Sequence, residues 1–310
     1  MASSSDALPE DYSQSHELLP QNIPATPKNM RRFAVPLVIV LILGLLGGVY
    51  LYVTQQVNTK VTADHAEHQE MSPSVHDIVH VRQKLVVGTD TNFKPMEFTD
   101  PKTGERVGFD IDLGKAIAKE LNVPVVFETI DFDSVFAPEN LGKSNALTQG
   151  KVDLMLDSIS ITPERSTKYL FSKSYLNAGQ VIVTRSDVTT ITVAEDLRGK
   201  KIAVAESTSN EKQALTYTSS DKVLRIKEPD DQAIAVLSKK ADAMLVDLTN
   251  AKGLIDSHPG LHITSDPLTD DNYGIVIAKG KDDLLTEVNG ILDTLRQRGI
   301  LESLKQKWLE

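Results

Sequence analysis

Two rhythms of hydrophobic and polar residues organise this chain. From Lys84 onward, short runs rich in Val, Ile, Leu and Ala recur: LVVGT (85–89), VVFETI (125–130), VDLMLDSIS (152–160), QVIVTR (180–185), KIAVAE (201–206), ADAMLVD (241–247) and YGIVIAKG (273–280). Runs that stay apolar residue after residue predict strands covered on both faces, because a half-exposed strand would alternate. Between them, apolar residues return at helical spacing. In DIDLGKAIAKEL (110–121), Leu113, Ile117 and Leu121 share a face, and Asp110 stands where an N-cap belongs. In DDLLTEVNGILDTLRQRG (282–299), Leu284, Val288, Ile291, Leu292 and Leu295 form a stripe that stops at Gly299. A last short helix carries Leu301, Leu304 and Trp308. Strands alternating with helices predict an α/β fold with largely parallel sheets, and the region is too long for one open sheet, so two lobes are expected.

Upstream the pattern changes. Residues 33–53, FAVPLVIVLILGLLGGVYLYV, carry no charge. At 1.5 Å per residue such a helix spans about 30 Å, the hydrocarbon thickness of a bilayer. Tyr50 and Tyr52 stand at one end as interface anchors do, and Lys28, Arg31 and Arg32 flank the other. The expectation is one N-terminal transmembrane helix with residues 1–32 as a cytoplasmic tail and the rest outside, in the periplasm or its equivalent. The alternative, a cleaved signal peptide, fits less well because the leader before the apolar run is long and the small-residue site Val61-Thr62-Ala63 lies far downstream. Residues 54–81 are polar and read as a linker; their His65, His68, His76 and His80 are read as solvated rather than metal-binding.

Composition narrows the function classes. The 310 residues are 40 % hydrophobic and 25 % charged, ordinary values for a globular chain. A net charge of −10 argues against a nucleic-acid partner. The absence of cysteine removes disulfides, thiolate metal sites, a cysteine nucleophile and an acylated-cysteine anchor. No cofactor or metal is implied.

In open α/β sheets, ligands sit outside the carboxyl ends of strands. Sorting residues by that rule collects Asp90 and Phe93 after the first strand and Phe132 after the second. Asp157, Ser158, Ser160 and Arg165 follow the third, Thr208 and Ser209 follow KIAVAE, and Asp247 ends ADAMLVD. Thr162 and Pro163 read as N-cap and first helical residue, so Arg165 would be held on a helix's first turn, ready to grip a carboxylate bidentately. Ser207, Thr208, Ser209 and Asn210 offer hydroxyls and amide groups at a helix start. Asp90 and Asp247 suit an ammonium, and Phe93 and Phe132 supply apolar faces. Each residue alone has a duller reading: a turn aspartate, a surface arginine, core rings, a helix cap. Together they describe a clamp for a free α-amino acid.

At these residues the chain resembles family 3 of the bacterial extracellular solute-binding proteins, the polar-amino-acid receptors of ABC importers. The stretches that carry the resemblance are VVGTDTNFKPMEF, VGFDIDLGKAIAKELNV, KVDLMLDSISITPER, YLFSKSYLNAGQVIV, DLRGKKIAVAESTS, ADAMLVD, YGIVIAKG and LESLKQKWL, covering residues 82–310. The resemblance implies a two-lobed periplasmic-binding-protein fold of type II that closes like a hinge, with lobe 1 as 82–178 plus 272–310 and lobe 2 as 179–271. It implies that Asp90 and Asp247 take the α-ammonium. Arg165, with Ser160 and the Thr208–Ser209 loop, would take the α-carboxylate. Phe93 and Phe132 would flank the side chain, and Ser158 would add a backbone or hydroxyl contact. The implied partners are an amino acid and an ABC permease in the cytoplasmic membrane, with the domain monomeric.

Three features depart from the family pattern. Asp157 replaces a small or neutral residue; it would favour a ligand with extra positive charge, unless it pairs with a local Lys or joins the ammonium clamp. Residues 134–150 form a longer segment than usual. STSN (207–210) lacks the customary glycine. Two other functions are weighed. One is a cyclohexadienyl- or arogenate-dehydratase-like enzyme with Asp157 or Glu206 as general acid; the other is a ligand-sensing domain for a membrane partner.

Overall fold

The protein is described here from a computed structural model, which covers residues 82–310. The expected tail 1–32, apolar span 33–53 and linker 54–81 with its four histidines lie outside the described residues. Among the described residues no helix is long and apolar enough to cross a membrane.

In chain order the elements begin with β1 (Leu85–Thr89), β2 (Asn92–Phe93), β3 (Glu97–Thr99), β4 (Arg106–Val107), α1 (Phe109–Glu120), β5 (Val125–Thr129), α2 (Asp133–Phe136), β6 (Leu154–Met155), α3 (Pro163–Lys168), β7 (Tyr169–Phe171) and β8 (Leu176–Asn177). They continue with β9 (Gln180–Arg185), β10 (Ile202–Val204), α4 (Ser209–Tyr217), β11 (Val223–Arg225), α5 (Pro229–Leu237), β12 (Ala243–Asp247), α6 (Leu248–Ser257), β13 (Leu261–Ile263), β14 (Asn272–Tyr273), β15 (Val276–Ala278), α7 (Asp282–Gln297) and α8 (Ile300–Trp308). Two five-stranded sheets result, ordered β5-β1-β6-β15-β7 and β11-β10-β12-β9-β13.

These sheets are mixed, not largely parallel. In the first, β1 runs parallel to β5 and β6, whereas β15 is antiparallel to β6 and β7. In the second, β10 is parallel to β11 and β12, whereas β9 is antiparallel to β12 and β13. The antiparallel strands are those next to the crossovers: β8 and β14 pair as a two-stranded ribbon, and the chain passes from one sheet to the other at its end.

Apolar runs without alternation come from burial on both faces, as expected. Leu85 and Val87 of β1 join the core beneath α1, α7 and α8, while Val86 points into a second core with Val135, Phe136, Leu147 and Tyr169. In the other sheet, Met244 and Val246 of β12 pack on one side with α5 and α6, and Ala243 and Leu245 on the other with Ala214. The segment 134–150 is therefore a cover for the first sheet. Its Asn145 donates to Tyr169 OH at 2.7 Å.

Three sequence expectations need correcting. Asp110 does not cap α1; Gly108 is the N-cap, and Asp110 lies inside the first turn, fully buried. Gly108 has φ +136°, and a Cβ there would sit 2.1 Å from Met96 O, so the entry to α1 presses directly on β3. The strand expected over 152–160 ends at Met155, since Asp157 and Ser158 leave the ladder and Ser158 turns left-handed at φ 51°. The run 273–280 splits into β14 and β15 around Gly274, whose missing Cβ would meet the Ile161 side chain at 2.9 Å.

Candidate functional site

The carboxyl ends of β1, β6, β10 and β12 open onto one cleft between the sheets, holding about 110 Å³ of free space. A water needs roughly 10–15 Å³ by this kind of measure, so the cleft suits a small organic molecule. Asp90, Phe93, Phe132, Asp157, Ser158, Ser160, Arg165, Thr208, Ser209 and Asp247 all line it. No residue of 134–150 does; that segment reaches the site only through Phe136, beneath the arginine.

Arg165 is held as its local sequence dictates. Pro163 starts α3, and the Thr162 hydroxyl accepts the Arg165 amide at 3.2 Å. The side chain is 6 % exposed, with its guanidinium carbon 5.2 Å from the Phe132 ring centre and 5.1 Å from that of Phe136. Those rings contact each other tilted by 37°, with centres 4.9 Å apart. Nη1 donates to Ser160 O at 3.1 Å and Nη2 to Ser207 O at 3.4 Å. Among the described residues, no carboxylate forms an ion pair with it. Burial lowers its pKa to about 10, which leaves it charged at neutral pH.

Asp247 ends β12 and is equally enclosed. Asn210 Nδ2 donates to Oδ1 at 3.1 Å, and Tyr273 OH donates to Oδ2. Burial raises its pKa to about 6, partly offset by those two donors and by the Arg165 charge. Asp90 is half-buried; its Oδ1 accepts the Thr91 amide and its own amide donates to Asp157 Oδ1 at 2.6 Å.

The other predicted residues carry structural duties as well. Ser158 donates its amide to Asp110 Oδ2 at 2.7 Å and its hydroxyl to Glu97 Oε2 at 3.1 Å, so both donors expected to reach a ligand are engaged. Thr208 caps α4, with its hydroxyl donating to Ala205 O at 2.7 Å. The Ser207 amide is taken by Glu211 Oε2 at 2.9 Å, and Ser207 itself adopts φ 63°, the left-handed turn for which glycine is customary. Asp157 finds no lysine; its Oδ2 is buried without a hydrogen-bond partner.

The cleft is shut. Ser160 Oγ and Ser209 Oγ lie 3.2 Å apart, and Asn250 Nδ2 donates across to Lys94 O at 2.8 Å. Ion pairs Lys227–Asp131 and Lys212–Glu164 and the Asn92–Glu228 hydrogen bond span its rim.

Sequence reading missed Asn92, Glu97, Lys227, Gln232 and Asn250, which also line the cleft. Asn250 had a usable signal: it lies three residues past Asp247 on the helix that opens at that strand end, hence on one face with it. Glu97 had none, because only the folded β2-β3 hairpin brings it back to the cleft. The lining holds Asp90, Glu97, Asp133, Asp157, Glu206 and Asp247 against Arg165 and Lys227.

Two α/β lobes meeting over a charged cleft, joined by paired crossovers, define a two-lobed solute-binding protein. Residues 85–310 match the model of the family described as bacterial extracellular solute-binding proteins, family 3. The chain belongs to that family. It is 28 % identical to a probable amino-acid ABC transporter-binding protein of Haemophilus influenzae, over 76 % of this chain and 88 % of that protein. It is 31 % identical to the arginine-binding extracellular protein ArtP of Bacillus subtilis, over 73 % and 86 %. Among solved structures, the P235GK mutant of ArgBP from T. maritima aligns with a TM-score of 0.67 at 34 % identity, over 75 % of this chain and 98 % of that one.

Proposed function

We propose that the chain is the extracytoplasmic receptor of an amino-acid ABC importer and that its ligand is an L-amino acid with a cationic side chain, arginine foremost. The observation that carries the reading is Arg165: a buried, charged guanidinium with no ion-pair partner among the described residues, on the wall of a closed cleft that also holds Asp247. An uncompensated buried charge is expensive, and a ligand carboxylate supplies the missing partner. Ser160 and the Thr208–Ser209 loop complete that end. Asp247 and Asp90 take the ammonium, Phe93 and Phe132 flank the side chain, and Asp157 faces its far end. The acidic excess of the lining and the arginine-binding relatives support a cationic ligand. Residues 33–53 anchor the receptor in the cytoplasmic membrane with residues 1–32 inside and 54–81 as tether, which raises its concentration beside the permease.

The test is a thermal-shift screen of the full chain against the twenty amino acids, ornithine and cystine. A ligand at 100 times its dissociation constant adds about 2.7 kcal/mol. Stabilisation by arginine, lysine or ornithine above all others is expected; stabilisation by neutral or acidic amino acids alone contradicts the cationic assignment. Alkaline extraction of membranes tests the anchor, which fails if the chain is released. A dehydratase reading is favoured by one observation, the buried Glu97 carboxyl on the cleft wall, whose pKa burial pushes well above the usual range. Turnover of prephenate or arogenate would establish it in place of transport.

A further inference from the structure

Three carboxyl groups gather where β3, the first turn of α1 and the end of β6 meet. Glu97 is 2 % exposed, Asp110 0 % and Asp157 4 %. Ser158 bridges the first two through its hydroxyl and amide, and Tyr175 OH donates to Asp110 Oδ2 at 2.9 Å. Asp110 Oδ1 and Asp157 Oδ2 are buried without hydrogen-bond partners. Glu97 and Asp157 line the cleft, and Asp110 stands behind them. Among the described residues no Lys or Arg forms an ion pair with any of the three.

Neighbouring carboxylates add negative charge, while the cations of the lining are Arg165 and Lys227, the latter paired with Asp131. Asp90 bears on both Glu97 and Asp157, and Asp131 on Asp157. The phenols of Tyr175 and Tyr273 also bear on Glu97. Three such carboxyls cannot all ionise in a low-dielectric pocket. Burial and mutual repulsion accordingly push Glu97 and Asp157 well above the usual carboxylate range, and burial lifts Asp110 to about 7. Raised in this way, the three carboxyls favour their protonated forms.

We propose that the receptor exchanges protons for its ligand: a cationic side chain entering beside Glu97 and Asp157 compensates their charge, and the protons they held leave to solvent. The exchange rests on the amino-acid-receptor reading and deepens it, since only a ligand with a positive side chain drives it. The ligand keeps its own protons, and charge balances because one positive charge replaces another. By linkage, affinity for such a ligand rises about tenfold per pH unit for each proton released. Asp247, raised to about 6, meets the α-ammonium common to all amino acids, so the fraction of a proton it holds is released with neutral ligands too.

Isothermal titration of the full chain at pH 6.5 with L-arginine and with L-citrulline, its neutral isostere, separates these contributions. Each titration is run in phosphate and in imidazole buffer, and the dependence of heat on buffer ionisation enthalpy counts protons. Arginine is expected to release about one proton more than citrulline, and Glu97→Gln or Asp157→Asn should remove that excess. Equal release for the two ligands in the wild-type protein overturns the proposal, and that comparison stands even if a variant does not fold. Absence of arginine binding in both buffers instead overturns the reading of the cleft on which the exchange rests.

Discussion

The two ends of the cleft solve the burial of charge in opposite ways. At one end Arg165 is enclosed by two aromatic rings, two backbone carbonyls and a capped helix turn, and it stays ionised. At the other, Glu97, Asp110 and Asp157 are enclosed by hydroxyls, amides and one another, and burial pushes their pKa values up. The difference is chemical. A guanidinium is weakly hydrated and presents a flat face to rings, whereas a carboxylate needs a cation or several donors. On the proposed reading, the arginine end is a fixed receptor for a group every amino acid carries. On the same reading, the acidic end is adjustable and carries the discrimination between ligands.

Removing the fixed end should hurt most. Arg165→Ala is expected to weaken every amino-acid ligand by about 3 kcal/mol or more, over 100-fold, by isothermal titration. A loss confined to arginine would place the carboxylate elsewhere.

Next in size is Gly108→Ala. Its Cβ would meet Met96 O at 2.1 Å and its φ is +136°, so the contact between α1 and β3 that brings Asp110 to Glu97 must open. A destabilisation of about 3 kcal/mol is expected in a denaturant melt, with discrimination between arginine and citrulline lost in any folded remainder. Wild-type stability and discrimination together would show that the acidic end tolerates this shift.

Asp157→Asn is expected to cost about tenfold in arginine affinity, roughly 1.4 kcal/mol, and to leave citrulline nearly unchanged. Equal losses for both would move Asp157 into the ammonium clamp.

A separate effect concerns the stability of the protein without added ligand. Asp110 and Asp247 go from a usual 3.8 to about 7 and about 6 on folding, and Glu97 and Asp157 shift the same way. A group whose pKa rises on folding stabilises fully below its unfolded value and loses that contribution as pH rises through the folded one. The ligand-free melting temperature should therefore fall between pH 4 and pH 8, by about 2–4 °C per kcal/mol lost. Carboxylates held low, such as Asp112 and Asp131, act in the opposite sense but below this window. A melting temperature that rises across it would contradict the buried-proton description.

The sequence revealed these two ends unequally. Arg165 was placed correctly from Thr162 and Pro163, because capping is local chemistry. Strand ends were legible wherever apolar runs were long, as in β1, β9 and β12, since burial on both faces leaves an unbroken signature. The acidic end was largely hidden. Asp110 looked like a cap, and Glu97 like one residue of a short strand. Their meeting depends on a hairpin and a helix entry that no periodicity records. The mixed sheets escaped for the same reason: apolar runs do not state strand direction.

The most direct measurement is a titration of the full chain with L-arginine and with agmatine, which keeps the guanidinium and lacks the carboxylate. Arginine is expected to bind at least 100-fold more tightly, with that ratio collapsing in Arg165→Ala. Agmatine binding as tightly as arginine to the wild-type protein would contradict a clamp built around Arg165.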